Sequence, residues 1–316
     1  MQHYSAPLEG LTDSIYRQTH HKYFGGVDVY YMAFLSPTMH HSLSAKEKRD
    51  LPPASSVPFR AIPQILTKSP EDFLWACQVC RDLGYEEVNL NVGCPSGTVV
   101  SKNKGAGMLR DPDDLHKFLD QIFSVSPLKI SVKTRLGLEE PEEFPDILEV
   151  FNQFPLENLT IHPRVRKQFY KGKVFMDSFA WAVEHCNCPV IYNGDLCTQK
   201  QIQEIETTFP QLQGVMAGRG LIGNPALFTG TVPVRETLFQ FHQELLESYR
   251  SAFGSDRNAM FRLKENWQYL LCLFEGAERL GKELRKTTSF DQYLQITHRI
   301  LDTLPMCKEL EPDWIA

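Results

Sequence analysis

The sequence lacks any apolar run approaching the ~20 residues that a bilayer-spanning helix needs, which excludes a transmembrane helix. Its opening decapeptide, MQHYSAPLEG, has neither the charged start nor the apolar centre of a signal peptide, so a cytoplasmic protein is expected. Cysteine is not dense: eight in 316 residues do not make a small secreted disulfide framework. Cys77-Gln-Val-Cys80 has metal-like spacing, but no second Cys-x-x-Cys and no His pair at ligand spacing accompanies it. Ser69 reads as an N-cap and Pro70 as first turn, with Phe73, Cys77, Cys80 and Leu83 at helical spacing, so these thiols are expected in a core and no metal is expected. There is no internal repeat beyond a β/α alternation, and no low-complexity segment.

An excess of positive charge is also missing. The formal net charge is −6, which alone argues against nucleic acid as a partner. The distribution is uneven, however. Residues 136–158 hold seven acids and no Lys or Arg, whereas residues 160–173 hold Arg164, Arg166, Lys167, Lys171 and Lys173 and no acid. The acidic run reads as a solvated helix face.

What is present is an orderly series of short β-rich runs. Strands are expected at 3–7, 27–34, 59–66, 87–92, 129–134, 158–162, 189–193 and 214–218, with capped or amphipathic helices between them, such as 111–123 and 198–209. Eight strands alternating with helices suit an α/β (β/α)8 TIM barrel, assigned to residues 1–232. Residues 233–316 carry helical patterns alone and read as a small all-helical C-terminal domain. The segment after the second strand, 36–56, is long and irregular, a candidate rim loop.

In such a barrel the chemistry sits at the C-terminal ends of the strands. Polar groups gather there: Glu9, Gln64, Asn91 with Cys94, Lys133 with Arg135, His162 with Arg164, Asn193 with Asp195, and Gly218 with Arg219. GRGLIG at 218–223 matches a dinucleotide fingerprint, but the acid that should follow ~20 residues on a second strand falls in a helical pattern instead. The glycines fit better a phosphate cradle after strands seven and eight, with Arg219 facing phosphate oxygens and Asn224-Pro225 starting a helix. A phosphorylated ligand such as FMN follows. Gln64 could bond its ring and Lys133 could stabilise negative charge on it. One feature stays unexplained by packing: Gly93-Cys94-Pro95 displays a thiol directly after the Val88, Leu90, Val92 alternation.

APLEGLTD (6–13), PQIL (63–66), NLNVGCP (89–95), SVKTRLG (131–137), TIHPRVRKQFYKG (160–172), VIYNGDL (190–196) and GVMAGRGLIGNPALF (214–228) resemble, in that order, the signature segments of the tRNA-dihydrouridine synthases. The resemblance implies tightly bound FMN, NADPH as a transient hydride donor, and reduction of the C5–C6 double bond of a uridine in tRNA. It makes Cys94 the proton donor. It places Pro7, Leu8, Glu9, Gln64, Lys133, His162, Asn193, Gly194, Asp195, Gly218 and Arg219 against the flavin, and Asn91 and Arg135 against the uracil. The chain departs from the family's pattern at Leu8, Asn89 and Pro163, where Met, an acid and a small residue are usual. Two other readings share many of these features: a flavin-dependent reductase of a free pyrimidine, and a non-catalytic RNA-binding relative.

The resemblance also requires an RNA footprint, with the tail beginning near Arg235 as a tRNA-binding domain. Expected contacts are Lys102, Lys104, Arg164, Arg166, Lys167, Tyr170 and Lys171, joined by Arg262, Lys264, Arg279, Lys282, Arg285 and Lys286 in the tail. Tyr170 among cations suits base stacking. A monomer is expected.

Overall fold

The computed structural model describes residues 1–307 and residue 310. All strand pairs are parallel, and the strands run in the order β3-β2-β1-β9-β8-β7-β6-β5-β4. They are β1 (Gln2–Ser5), β2 (Val29–Tyr31), β3 (Arg60–Ile62), β4 (Gln64–Ile65), β5 (Glu87–Val92), β6 (Lys129–Arg135), β7 (Leu159–His162), β8 (Val190–Tyr192) and β9 (Gly214–Ala217). The two ends of this order, β3 and β4, are one stretch of chain interrupted by Pro63. Proline has no N–H to give a ladder, so the expected third strand is split: its first half pairs with β2 and its second with β5. The ring is thereby closed as a barrel of eight, in agreement with the expected fold class. The second strand is shorter than expected, three residues against eight.

Around the barrel lie α1 (Ser14–Tyr23), α2 (Ala45–Asp50), α3 (Pro70–Asp82), α4 (Gly97–Val100), α5 (Pro112–Phe123), α6 (Phe144–Phe151), α7 (Met176–His185), α8 (Gln199–Thr208) and α9 (Arg219–Gly223). Their starts are set by caps legible in the chain: Ser69 accepts the Asp72 N–H, Asp111 those of Asp113 and Asp114, and Thr198 that of Gln201. Cys77 and Cys80 are buried on the core face of α3. The rim segment 36–56 is less irregular than expected, since α2 is held there by a Ser44–Glu47 capping box.

Strand periodicity gives the barrel an apolar outside and an interior of two kinds: Tyr4, Ala6, Val29, Tyr31, Ile62, Ile191 and Met216 make one side of it apolar, while β5 lines it with polar groups. Val88, Leu90 and Val92 of β5 pack outward with the helices in the main core. Glu87, Asn89 and Asn91 alternate with them, and register sets Asn89 beside Gln64 and Ser131, Asn91 beside Lys133, and Arg135 beside His162.

The last helices are α10 (Arg235–Phe253), α11 (Asp256–Leu270), α12 (Glu278–Lys286) and α13 (Phe290–Thr303). They share a second core with Leu11, Tyr16 and Ile222 of the barrel. Residues 308, 309 and 311–316 of the expected helical domain lie outside the described residues. No helix among the described residues is long and apolar enough to cross a membrane.

Candidate active site

The C-terminal mouth of the barrel opens into a cleft with ≈ 900 Å³ of free space, open solvent at its mouth included. Pro7, Leu8, Glu9, Asn91, Cys94, Lys133, Arg135, His162, Tyr170, Asn193, Gly194, Asp195, Gly218 and Arg219 all border it. The strands thus bring most of the expected site residues together. Gln64, Arg164, Arg166, Lys102, Lys104 and Lys171 do not border it.

Gln64 lies one layer below, fully buried. Its Nε2 donates to Asn89 Oδ1 at 2.7 Å, and its Oε1 accepts from Asn91 Nδ2 at 2.7 Å. Asn89 Nδ2 in turn donates to Ser131 Oγ at 3.0 Å. The amide expected to meet a ligand is therefore committed to aligning Asn91. Asn89 supplies the acceptor that an acid at this position would supply, without burying a charge.

Asn91 Oδ1 accepts the N–H groups of Gly93 and Cys94, at 3.1 and 2.9 Å. From the other side Arg135 Nε donates to the Gly93 carbonyl at 2.9 Å, and its Nη1 to the Val165 carbonyl at 3.2 Å. Two residues expected to hold uracil also hold the loop that carries Cys94. Gly105, at φ +56°, completes the seat: a Cβ there would lie 2.9 Å from the Cys94 Cβ, so the chain can pass under the thiol only without a side chain. Nothing in the spacing from Cys94 announces Gly105; its place is visible only once the loop is folded. Burial pushes the Cys94 thiol up, against the opposing pull of the Ser96 backbone N–H, Arg135 and Lys133, so it stays protonated at neutral pH.

Lys133 has no carboxylate partner among the described residues, and burial with the nearby Arg135 brings its ammonium down to about 7. His162 is held well below its usual value, chiefly by burial and then by Arg135, Lys133, Arg164 and Arg219. Arg164 Nη1 donates to His162 Nε2 at 3.1 Å, so the neutral ring carries its proton on Nδ1. The cleft floor therefore has a positive field that favours an anion.

Arg164 corrects an expectation. Its side chain is wholly buried, and both terminal nitrogens donate to Asp195, Nη1 to Oδ1 at 3.0 Å. An arginine in that position cannot touch RNA. Asp195, at φ 45°, also accepts from Arg219 Nη2 at 2.9 Å. Its carboxylate organises two arginines. Asn224-Pro225 opens only a short 3-10 turn, Leu227–Thr229, with Asn224 Oδ1 accepting the Ala226 N–H at 3.1 Å; the α-helix at this loop is α9, which begins earlier at Arg219, with Gly218 its N-cap and Asn224 its C-cap. The break at Pro163 is a tight γ-turn, with the Arg164 N–H bonded to the His162 carbonyl at 2.7 Å.

Tyr170 covers the cleft from the β7 loop, with the Arg135 and Arg219 guanidinium carbons 5.3 and 5.0 Å from its ring centre. The helical part reaches this rim, which the strand-end pattern could not show. Tyr269 of α11 stands in the field of Arg219 and Tyr170, with burial pushing its phenol up. Two cations of the helical part expected on RNA are engaged elsewhere. Arg262 Nη1 packs over Gly10, 3.0 Å from where a Cβ would stand, and Lys264 donates to the Arg285 and Thr287 carbonyls at 2.9 and 2.7 Å, capping α12. Arg279, Lys282, Arg285 and Lys286 are exposed.

Two solved structures share the fold at low identity. A morphinone reductase variant in complex with tetrahydroNAD has a TM-score of 0.52 at 11% identity, covering 75% of this chain and 89% of that chain. A variant of NCR from Zymomonas mobilis has a TM-score of 0.51 at 12% identity, covering 75% and 90%. Among curated proteins, tRNA-dihydrouridine synthase B of Pasteurella multocida is 27% identical over 77% of this chain and 71% of its own. A Synechocystis protein named "Probable tRNA-dihydrouridine synthase 1" is 26% identical over 96% of this chain and 87% of its own. Residues 4–299 match the family model described as dihydrouridine synthase, and with that match over nearly the whole chain the protein belongs to the dihydrouridine synthase family.

Proposed function

We propose that the protein is a tRNA-dihydrouridine synthase, an oxidoreductase that reduces the C5–C6 double bond of a uridine in tRNA with FMN as cofactor and NADPH as hydride donor. The observation that carries this reading is the pairing, in one cleft, of a thiol kept protonated by burial, Cys94, with Lys133, whose amine has no carboxylate partner among the described residues. The family and the two named relatives support the reaction class.

The residues present fit FMN. Lys133 and a neutral His162 with its proton on Nδ1 offer donors to the electron-rich edge of a flavin. Arg219 and the leading N–H groups of α9 offer an anion site. Pro7, Leu8 and Gly218 supply close walls, since a Cβ on Gly218 would already stand 3.3 Å from that of Ala6. Bound there, FMN would supply the two-electron reservoir between NADPH and C6 of the base.

The chain's own contribution is on the other side of the base. Arg135 and Asn91 orient the uracil, and Cys94 gives its thiol proton to C5 as C6 gains hydride; the thiolate recovers a proton from water. Tyr170 closes the mouth over the base. Lys102, Lys104, Arg166 and Lys171 on the loops, with Arg279, Lys282, Arg285 and Lys286 on α12, track the tRNA backbone.

The test is made on purified protein, with and without Cys94→Ala: visible absorbance first, then NADPH-driven dihydrouridine in unmodified tRNA by mass spectrometry. Yellow wild type that reduces tRNA, beside a yellow variant that does not, supports the reading. Yellow protein active on free uracil alone overturns the tRNA substrate, and protein that takes up no FMN overturns the enzyme.

A further inference from the structure

Phe169 is costly to place where it stands. It is 41% exposed, belongs to none of the apolar clusters of the described residues, and takes φ 52° with ψ −98°, a conformation that L side chains rarely adopt. Such strain persists only where neighbouring bonds over-determine it. Here they do. The Phe169 N–H donates to the Arg166 carbonyl at 3.0 Å and the Lys171 N–H to that of Gln168 at 2.8 Å. Gln168 is itself fixed, accepting the Val165 N–H at 3.0 Å and donating to the Lys173 carbonyl at 3.1 Å.

The reversal separates two consecutive aromatics. Tyr170 borders the cleft, whereas Phe169 does not and stands on the rim, with the Arg166 guanidinium carbon 5.2 Å from its ring centre. A core anchor would be buried, and a solvated loop tip would not need an aromatic in a strained backbone. An exposed ring with a cation against it, one residue from the cleft, has the chemistry of a base-stacking element.

We infer that Phe169 is a wedge: it takes the stacking place of the target uridine when that nucleotide is turned out of the tRNA and into the cleft, while Arg166 meets the adjoining phosphate. The inference rests on the tRNA reading above and deepens it. A base inside a folded RNA must leave its stack to reach a barrel mouth, and an apolar side chain inserted at the vacated step offsets the loss. Phe169 is a positioning residue in this account, because it touches the neighbours of the reacting base and leaves the chemistry to Cys94.

The test uses FMN-loaded full-length protein and a transcribed tRNA carrying 2-aminopurine beside the uridine that the wild type reduces. Phe169→Gly removes the ring and relaxes the positive φ, so its fold is not in jeopardy, and Phe169→Tyr keeps a stacking face. Wild type and F169Y are expected to raise 2-aminopurine emission on binding. F169G keeps its flavin absorbance, melts no lower than wild type and leaves emission at the free-tRNA level, and its kcat/KM falls roughly ten- to hundredfold, the span of one lost base–aromatic stack. F169G that raises emission as the wild type does overturns the wedge, as does equal loss in F169G and F169Y. A wild type that forms no dihydrouridine in any tRNA overturns the enzyme reading itself, and this inference with it.

Discussion

Asn91 Oδ1 accepts the backbone N–H of Cys94 at 2.9 Å, so the thiol hangs from a side chain of the strand that precedes it. Asn91 is in turn held by Gln64, Gln64 by Asn89 and Asn89 by Ser131, a line of neutral amides and one hydroxyl across three strands. Asn91→Ala frees the Gly93 and Cys94 N–H groups and leaves the Gln64 carbonyl unpaired. The expected cost is about 1–3 kcal/mol of stability. Flavin content should persist while turnover on tRNA falls, and denaturant titration beside a dihydrouridine assay checks both.

Cys94→Ala leaves Asn91, Arg135 and Gly105 in place, since none bonds to the sulfur. Flavin absorbance should be unchanged and kcat on tRNA should drop by about 10²–10⁴, the usual weight of a positioned acid. A variant within a few-fold of wild type would remove Cys94 from the proton step.

Lys133 makes a pH-dependent prediction. Its ammonium titrates at about 7 in the folded protein against 10.5 ordinarily. Between those values the unfolded chain binds more protons than the folded one, so this group makes stability rise with pH across the window. Lys133→Met has no such group. In flavin-free protein its melting temperature should exceed that of wild type most at pH 6, and the gap should narrow by pH 9.5. The same variant should retain FMN poorly. A gap independent of pH would show that Lys133 is not a buried cation.

Asp195→Asn strips the charge from a carboxylate that both Arg164 and Arg219 grip. The Arg164 side chain is wholly buried, so its guanidinium would be left uncompensated, and a loss of about 3–5 kcal/mol is expected. Chemical denaturation reads this directly. Asp195→Glu should not rescue it, because the φ of 45° and the two-arginine geometry suit the shorter side chain.

Charge reversal at Lys102, Lys104 and Lys171 together should weaken tRNA binding and flatten its salt dependence, with flavin absorbance intact. Filter binding across a salt series checks it, and unchanged affinity would move the RNA path elsewhere.

Much of this architecture is legible in the chain because two periodicities write it. Val88, Leu90 and Val92 alternate with Glu87, Asn89 and Asn91, and a parallel barrel has one face for each set. Helix starts at Ser69, Asp111 and Thr198 are readable for a similar reason: the capping oxygen lies within three residues of the N–H it serves. What stays hidden depends on partners far along the chain. An arginine at a strand end reads the same whether it faces RNA or, like Arg164, a carboxylate 31 residues away. Lys264 looks like a surface cation until α12 is seen ending on it. The break at Pro63 was present in the sequence, but an apolar run on both sides of it reads as one strand.

The second core has a further consequence. Leu11, Tyr16 and Ile222 of the barrel are buried among Leu238, Phe241, Trp267 and Leu270 of the last helices. Across the seam Tyr249 donates to Asp13 Oδ1 at 2.9 Å, the same oxygen that caps α1, and Glu244 accepts from Tyr23 at 2.8 Å. Cutting the chain at 232 would strip an apolar face from α1 and take away the Tyr249 hydroxyl that holds its capping carboxylate. Calorimetry of the intact chain should then record one cooperative melting event in which barrel and helices are lost together, and a gene encoding the barrel alone should yield aggregate.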